Sequence, residues 1–220
     1  MDGFPPGTFT LTQQCNRFRM MPDTSYLLSA SYRILGMQAG FGLIESSFTR
    51  KMNSANIMTK NIFDLVLSSM LYIAVGYGLA FGEPAFGSET GSLVGNPLRA
   101  DKDYTMLLFQ YSFAATTSTI DSGALAERVN FWAYLVTSSA CCGILYPIVA
   151  HWGWMPEGWL AQLGFHDFAG GMIVHGFGGF FALASILHVG PRIGRFAEYT
   201  PRGGALNRLL FWPMLFLTPS

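Results

Sequence analysis

Charged side chains make up only 12% of this 220-residue chain, about half of the roughly 25% with which a soluble domain covers its surface. That shortage excludes an ordinary water-soluble globule. Thirteen Lys and Arg cancel thirteen Asp and Glu, so no net field gathers nucleic acid or an anionic surface, and nucleic acid is not an expected partner. Cysteine is equally scarce. Cys15 and the adjacent Cys141 and Cys142 supply neither a disulfide framework nor a zinc spacing, and the pair in its apolar run reads as small buried hydrophobes. The first residues, Met1 to Asp23, lack the long apolar core of a signal peptide and hold Pro5, Pro6 and Pro22, the pattern of a short irregular tail. What remains is apolar: 50% hydrophobic and 15% aromatic residues, with 25 Gly and 19 Phe. A lipid bilayer is the natural solvent for such a chain.

A membrane-crossing helix needs about 20 mostly apolar residues. Five stretches qualify: Tyr26 to Ser46, Ile62 to Gly82, Tyr104 to Ala126, Phe131 to Ala150 and Phe168 to Val189. Polar interruptions such as Gln38, Ser68, Ser69 and the run from Thr116 to Thr119 suit faces that meet other helices and not lipid. A sixth apolar piece, Leu206 to Leu217, is short and broken by Pro213, in the range of interfacial or truncated segments. With the N-terminus outside, eight of the thirteen basic residues fall in inner connections, from Arg50 and Lys51 to Arg202 and Arg208, while Arg33 lies within a span. The positive-inside rule then places the inner side in the cytoplasm. Glu83 to Asp103 and His151 to His166 read as exposed outer connections.

Several blocks carry chemistry. The first span and its exit read Met37-Gln38-Ala39-Gly40-Phe41-Gly42-Leu43-Ile44-Glu45, followed by Arg50, Lys51, Lys60, Asn61 and Asp64. The third holds Phe109-Gln110-Tyr111-Ser112-Phe113-Ala114-Ala115-Thr116 and then Gly123-Ala124-Leu125-Ala126-Glu127-Arg128. The fourth closes on Tyr146-Pro147-Ile148-Val149-Ala150-His151-Trp152-Gly153-Trp154. The fifth opens Asp167-Phe168-Ala169-Gly170-Gly171-Met172-Ile173-Val174-His175, which at about 1.5 Å rise per residue sets the imidazole roughly 12 Å below the helix start. An ionisable group at that depth asks for a function. These blocks, in this order over about Asp23 to Pro191, resemble the ammonium transporter family.

The resemblance implies an all-α polytopic membrane fold whose five transmembrane helices form the first of two inverted repeats. It divides the chain into an extracellular tail (1–24), a five-helix half (25–190) and a cytoplasmic connection with a divergent sixth segment (191–220). It implies ammonium or ammonia as the passenger, a plasma membrane location with the N-terminus outside, and a homotrimeric complete protein. No enzymatic step, cofactor or metal is expected. A zinc site built from His151, His166, Asp167 and His175 has no compact metal-binding spacing and no water-activating glutamate.

Physical chemistry gives these residues work to do. An aromatic face holds a cation at about 0.5 to 2 kcal/mol without the carboxylate that would trap it. Phe109 and Phe113 are four apart and share a helix face, with Trp154 just past the outer end of the fourth span. In isolation such phenylalanines are ordinary packing. By resemblance, Phe113 and Trp154 help form an outer recruitment site, and Phe109 and Phe113 belong to the gate region below it. His175 is then the first of two pore histidines; a neutral imidazole offers one donor and one acceptor without fixed charge. A core histidine is the bland alternative. Asp167 suits a helix N-cap and supports the site indirectly, while Gly170 and Gly171 permit close packing.

Two departures from the family stand out. Arg33 replaces an apolar residue, and after Pro191 the chain departs from the usual sixth helix, so the second pore histidine and the gate partner are missing. The chain alone is therefore expected not to conduct. A non-conducting piece that associates with complete subunits, or an ammonium sensor on the same scaffold, are the competing readings.

Overall fold

The computed structural model describes residues 11–88, 91–96 and 103–192. Five long helices dominate, and we number them in chain order. The first, α1, runs Leu11–Phe48. The second, α2, spans Lys51–Phe81, opening on a 3₁₀ turn and containing a π turn at Tyr72–Gly76. Next comes α3, Tyr104–Leu125. Then α4, Phe131–Trp154, has a π turn at Cys141–Leu145, and α5, Gly171–Val189, begins as a π turn over Gly171–Gly176. A one-turn helix, Trp159–Gln162, lies between α4 and α5.

Helix boundaries follow local chemistry. Asp103 caps α3 by accepting from the N–H groups of Thr105 and Met106 at 2.9 and 3.2 Å, and Asn130 caps α4 through the Ala133 N–H at 2.8 Å. Side-chain oxygens there satisfy donors that a helix start leaves free. The expected irregular tail is helical from Leu11 onward. No Pro or Gly occurs between Leu11 and Met21, and a single proline removes one backbone hydrogen bond without always ending a helix. At 38 residues, α1 measures about 57 Å, far more than a bilayer core of about 30 Å.

Three helices, α2, α4 and α5, are long and apolar enough to cross a membrane by themselves. The other two are diluted by polar groups that serve each other. Gln38 of α1 donates to Thr116 Oγ1 of α3 at 3.1 Å, its carbonyl accepts from Thr119 Oγ1 at 2.6 Å, and Glu45 accepts from Ser122 at 2.7 Å. Interhelical bonds of this kind spare the membrane interior from unsatisfied polar atoms. The apolar core lies on the other side of α3, where Tyr72, Tyr111 and Tyr146 are buried together with Ala114, Ala150 and Ile173. Tyr111 donates its hydroxyl to the Leu65 carbonyl at 2.8 Å. Cys141 and Cys142 are buried free thiols, as their apolar run suggests.

The described parts of the two connections expected on the outer side are more ordered than an exposed loop. Pro84–Ser88 (β1) and Gly91–Gly95 (β2) pair antiparallel. The end of this hairpin presses on the end of α2 at two glycines: a Cβ on Gly95 would stand 2.5 Å from the Gly78 carbonyl, and one on Gly82 would stand 2.2 Å from the Asn96 carbonyl. Ser92 is buried, its backbone N–H reaches the Glu157 carbonyl at 2.6 Å, and the Trp152 indole donates to the Leu93 carbonyl at 2.8 Å. The described parts of these two connections thus form one packed cap.

At the opposite end Glu127 adopts φ +62°, left-handed backbone that few non-glycine residues take. Its Oε1 accepts the Arg50 backbone N–H at 2.8 Å and the Asn53 amide at 2.7 Å, and its Oε2 lies 3.7 Å from the Arg192 guanidinium. Arg192 also donates to the carbonyls of Ala126 and Phe48, each at 3.1 Å. Arg128 donates to the Gly190 carbonyl. This clasp joins the ends of α1, α3 and α5, so alternate helices finish at the same end of the bundle. Arg33 sits exposed on α1. The expected sixth segment, Leu206 to Leu217, lies outside the described residues.

Candidate functional site

Phe109, Phe113 and Trp154, grouped by the family resemblance, are brought into contact by the fold. Phe109 and Phe113 meet edge to face, with ring centroids 4.9 Å apart. Phe113 in turn meets Trp154 edge to face at 5.7 Å. Trp154 is the last residue of α4 and does not lie beyond its end, because the helix continues one turn past the expected stop at Ala150. All three rings are partly buried, and Phe113 and Trp154 pack against the apolar core.

Asp167 links this aromatic row to the start of α5. Its Oδ2 accepts the Trp154 indole N–H at 3.2 Å and its Oδ1 accepts the Met172 backbone N–H at 2.8 Å. The carboxylate therefore satisfies a free donor at a helix start, as a cap does, although the residue in the cap position is Gly170. Helix α5 opens at Gly171, three residues later than the expected Phe168. The backbone explains the delay: Ala169 and Gly170 take φ +54° and +81°, outside any right-handed helix. Any side chain at Gly170 would also collide, since its Cβ would stand 2.9 Å from Val174 Cγ2. Gly171 faces Asp167 Oδ1 at 3.9 Å from a built Cβ, ordinary contact.

His175 lies within the π turn, its backbone N–H bonded to the Gly170 carbonyl at 3.1 Å. Because α5 begins at Gly171, His175 is four residues into the helix, about 6 Å along an ideal α-helix and so half the expected depth. Its side chain is exposed. The region thus offers a row of aromatic rings and, on the helix whose start Asp167 holds, an exposed imidazole. Such a surface can hold a small cation weakly and offer it a neutral donor and acceptor.

His151, quoted in the fourth block but given no structural role from sequence, is fully buried; Nδ1 lies 2.8 Å from the Ala80 carbonyl and Nε2 2.6 Å from Ser92 Oγ. It ties the outer cap to the helices and does not join the aromatic face. A second group that sequence reasoning missed is buried toward the clasp: Asp64, Asp121 and Glu45. The available signal was a carboxylate inside a predicted span.

Fold and site together define a polytopic helical membrane protein with an aromatic row beside the start of a histidine-bearing helix. The chain matches the Ammonium Transporter Family over residues 25–210 and belongs to that family, one of transporters and not of enzymes. It is 44% identical over 194 residues to a putative ammonium transporter of Synechocystis sp., covering 84% of this chain and 42% of that protein. To ammonium transporter 3 of Dictyostelium discoideum it is 38% identical over 177 residues, 80% of this chain and 41% of that one. The solved structure of a sensor Amt protein superposes with a TM-score of 0.76 at 34% identity, over 83% of this chain and 48% of that chain. The chain thus spans about two-fifths of the length of these curated relatives.

Proposed function

We propose that this chain supplies the outer recruitment face and the first pore histidine of an ammonium-conducting path. The observation that carries the reading is the continuous row Phe109, Phe113, Trp154 and Asp167, whose carboxylate holds the start of the helix that carries His175. Ammonium meets the Phe113 and Trp154 rings first, where cation–π attraction concentrates it without trapping it. Asp167 acts through Trp154 and the start of α5, not as the ion's direct ligand. His175 then receives the passenger in a narrow passage as a neutral imidazole, sparing the membrane interior a fixed charge. Gly170 and Gly171 set the backbone that aims His175. The exposed face carrying His175 is the one we assign to a second, inverted repeat, since transporters of this build place their path between repeats. The complete protein is a homotrimer of the plasma membrane with its N-terminus outside.

Liposome reconstitution tests the reading. The 220-residue chain alone should give no ammonium-driven current or internal pH change, whereas the same chain joined to the second half of a family relative should give both. Saturable transport by the chain alone overturns the half-path; silence of the completed protein overturns transport. A sensor reading is favoured by one observation, the likeness to a sensor Amt protein. Ammonium-dependent structural change in the completed protein without flux would select it.

A further inference from the structure

Asp121 is the least provided-for carboxylate in the bundle. It lies in the last turn of α3 and is only 1% exposed. Among the described residues, neither of its oxygens accepts a hydrogen bond of normal geometry. Its polar neighbour on α5 is the Ser185 hydroxyl, itself buried, which brings no charge. The other charged group that acts on it is Asp64 of α2, also negative. From α4, Cys141 lies within electrostatic reach of both carboxyls.

The two other buried carboxylates are dressed as anions. Asp64 Oδ1 accepts from Ser68 Oγ at 3.1 Å, from Ser118 Oγ at 2.9 Å and from Ser138 Oγ, while Oδ2 accepts from Ser118 Oγ at 3.1 Å. Glu45 of α1 accepts from Asn61 at 3.0 Å and Ser122 at 2.7 Å, with the Lys60 ammonium as its counter-charge. Asp64 and Glu45 thus have several donors or a cation to satisfy a buried charge, whereas Asp121 has one neighbouring hydroxyl.

We propose that Asp121 is a proton-binding site, occupied as a carboxylic acid at neutral pH and placed beside the ionised Asp64. A proton is the ligand that fits. It needs one lone pair, whereas a metal or ammonium ion needs several converging oxygens, and Asp121 is met by one hydroxyl. With the proton bound, the Asp64 and Asp121 pair carries a single negative charge, already served by three serines. The site is enclosed by helices of this chain, so it exists whether or not a second repeat is present. It is also separate from His175: Asp121 lies near the clasp end of α3, while His175 lies near the outer start of α5.

Infrared spectroscopy of the full chain in lipid bilayers tests this directly. At neutral pH, where exposed carboxyls are ionised, the wild type should retain the C=O stretch of a neutral carboxylic acid, shifted by deuterium exchange and by ¹³C-labelled aspartate. D121N should lose this band and D64N should keep it, with the helical amide band unchanged in both. Ser185→Ala removes one oxygen from the neighbourhood and should move the band without abolishing it, a readout that holds even if D121N folds poorly. Absence of the band in the wild type overturns the proposal, as does its survival in D121N. A band unmoved by Ser185→Ala overturns its location. A band abolished by added sodium or ammonium overturns the proton as ligand and assigns a cation instead.

Discussion

The Trp154 indole donates to Asp167 Oδ2 at 3.2 Å while its ring meets Phe113 at 5.7 Å, so one side chain couples the aromatic face to the start of α5. A carboxylate that would bind ammonium tightly is instead committed to an indole N–H and a backbone N–H. On the proposed path, rings are therefore met before charge.

Replacing Trp154 separates the two roles. In the completed transporter, Trp154→Ala should raise the ammonium concentration for half-maximal current by roughly 2- to 30-fold, matching a cation–π loss of about 0.5 to 2 kcal/mol. Trp154→Phe keeps a ring face but not the N–H and should fall between. Unchanged concentration dependence in both, at equal surface expression, sinks the recruitment role.

His175→Leu keeps bulk and removes both ring nitrogens. It should abolish or re-route ammonium movement in the completed transporter while the melting temperature of the chain stays close to wild type, because the imidazole is exposed. Wild-type rate and selectivity would make His175 a packing residue.

His151→Leu should loosen the outer cap. It leaves the buried Ala80 carbonyl and Ser92 hydroxyl without their imidazole partner, at about 1 to 3 kcal/mol. Amide exchange at residues 91–96 should accelerate, and Ser92→Ala should do the same more weakly. Equal exchange in all three proteins contradicts the tie.

The clasp predicts an acid weakness. Burial alone would raise the Glu127 carboxyl, but the Arg50 backbone N–H, the Asn53 amide and the charges of Arg192 and Arg50 together hold it below its ordinary range. A lowered carboxyl contributes stability above the unfolded value and loses it as pH falls through the folded one. Thermal melts in lipid should therefore weaken below the ordinary carboxylate range. Glu127→Gln should melt lower at neutral pH and lack that part of the acid dependence; a parallel pH profile in the two proteins would remove the clasp from the account.

Apolar runs made the five helices and the aromatic row legible, because a bilayer sets helix length and spacing sets faces. Where reading stopped, the cause was physical. The stretch from Leu11 reads as tail because it lacks a long apolar run and carries Pro22, yet a proline can sit inside a helix. The hairpin at Pro84–Gly95 was hidden because its docking depends on bare glycine backbones meeting across distance in sequence, not on an alternating pattern. The depth of His175 was doubled because nothing in Asp167 to Gly170 announces left-handed backbone at Ala169. Asp64 and Asp121 stood in plain view within predicted spans, yet only folded neighbours distinguish a carboxylate ringed by serines from one without donors.

The π turn that opens α5 has a consequence for length. Its extra residue lets the Asp167 loop reach Trp154 while the rest of α5 packs against α3. Deleting one residue from Gly171–Gly176 would remove the residue that the wide turn accommodates and shorten the chain between the Asp167 loop and the rest of α5. The loop could then keep its indole or its helix, but not both, so this short stretch should be far less tolerant of a lost residue than of a changed one.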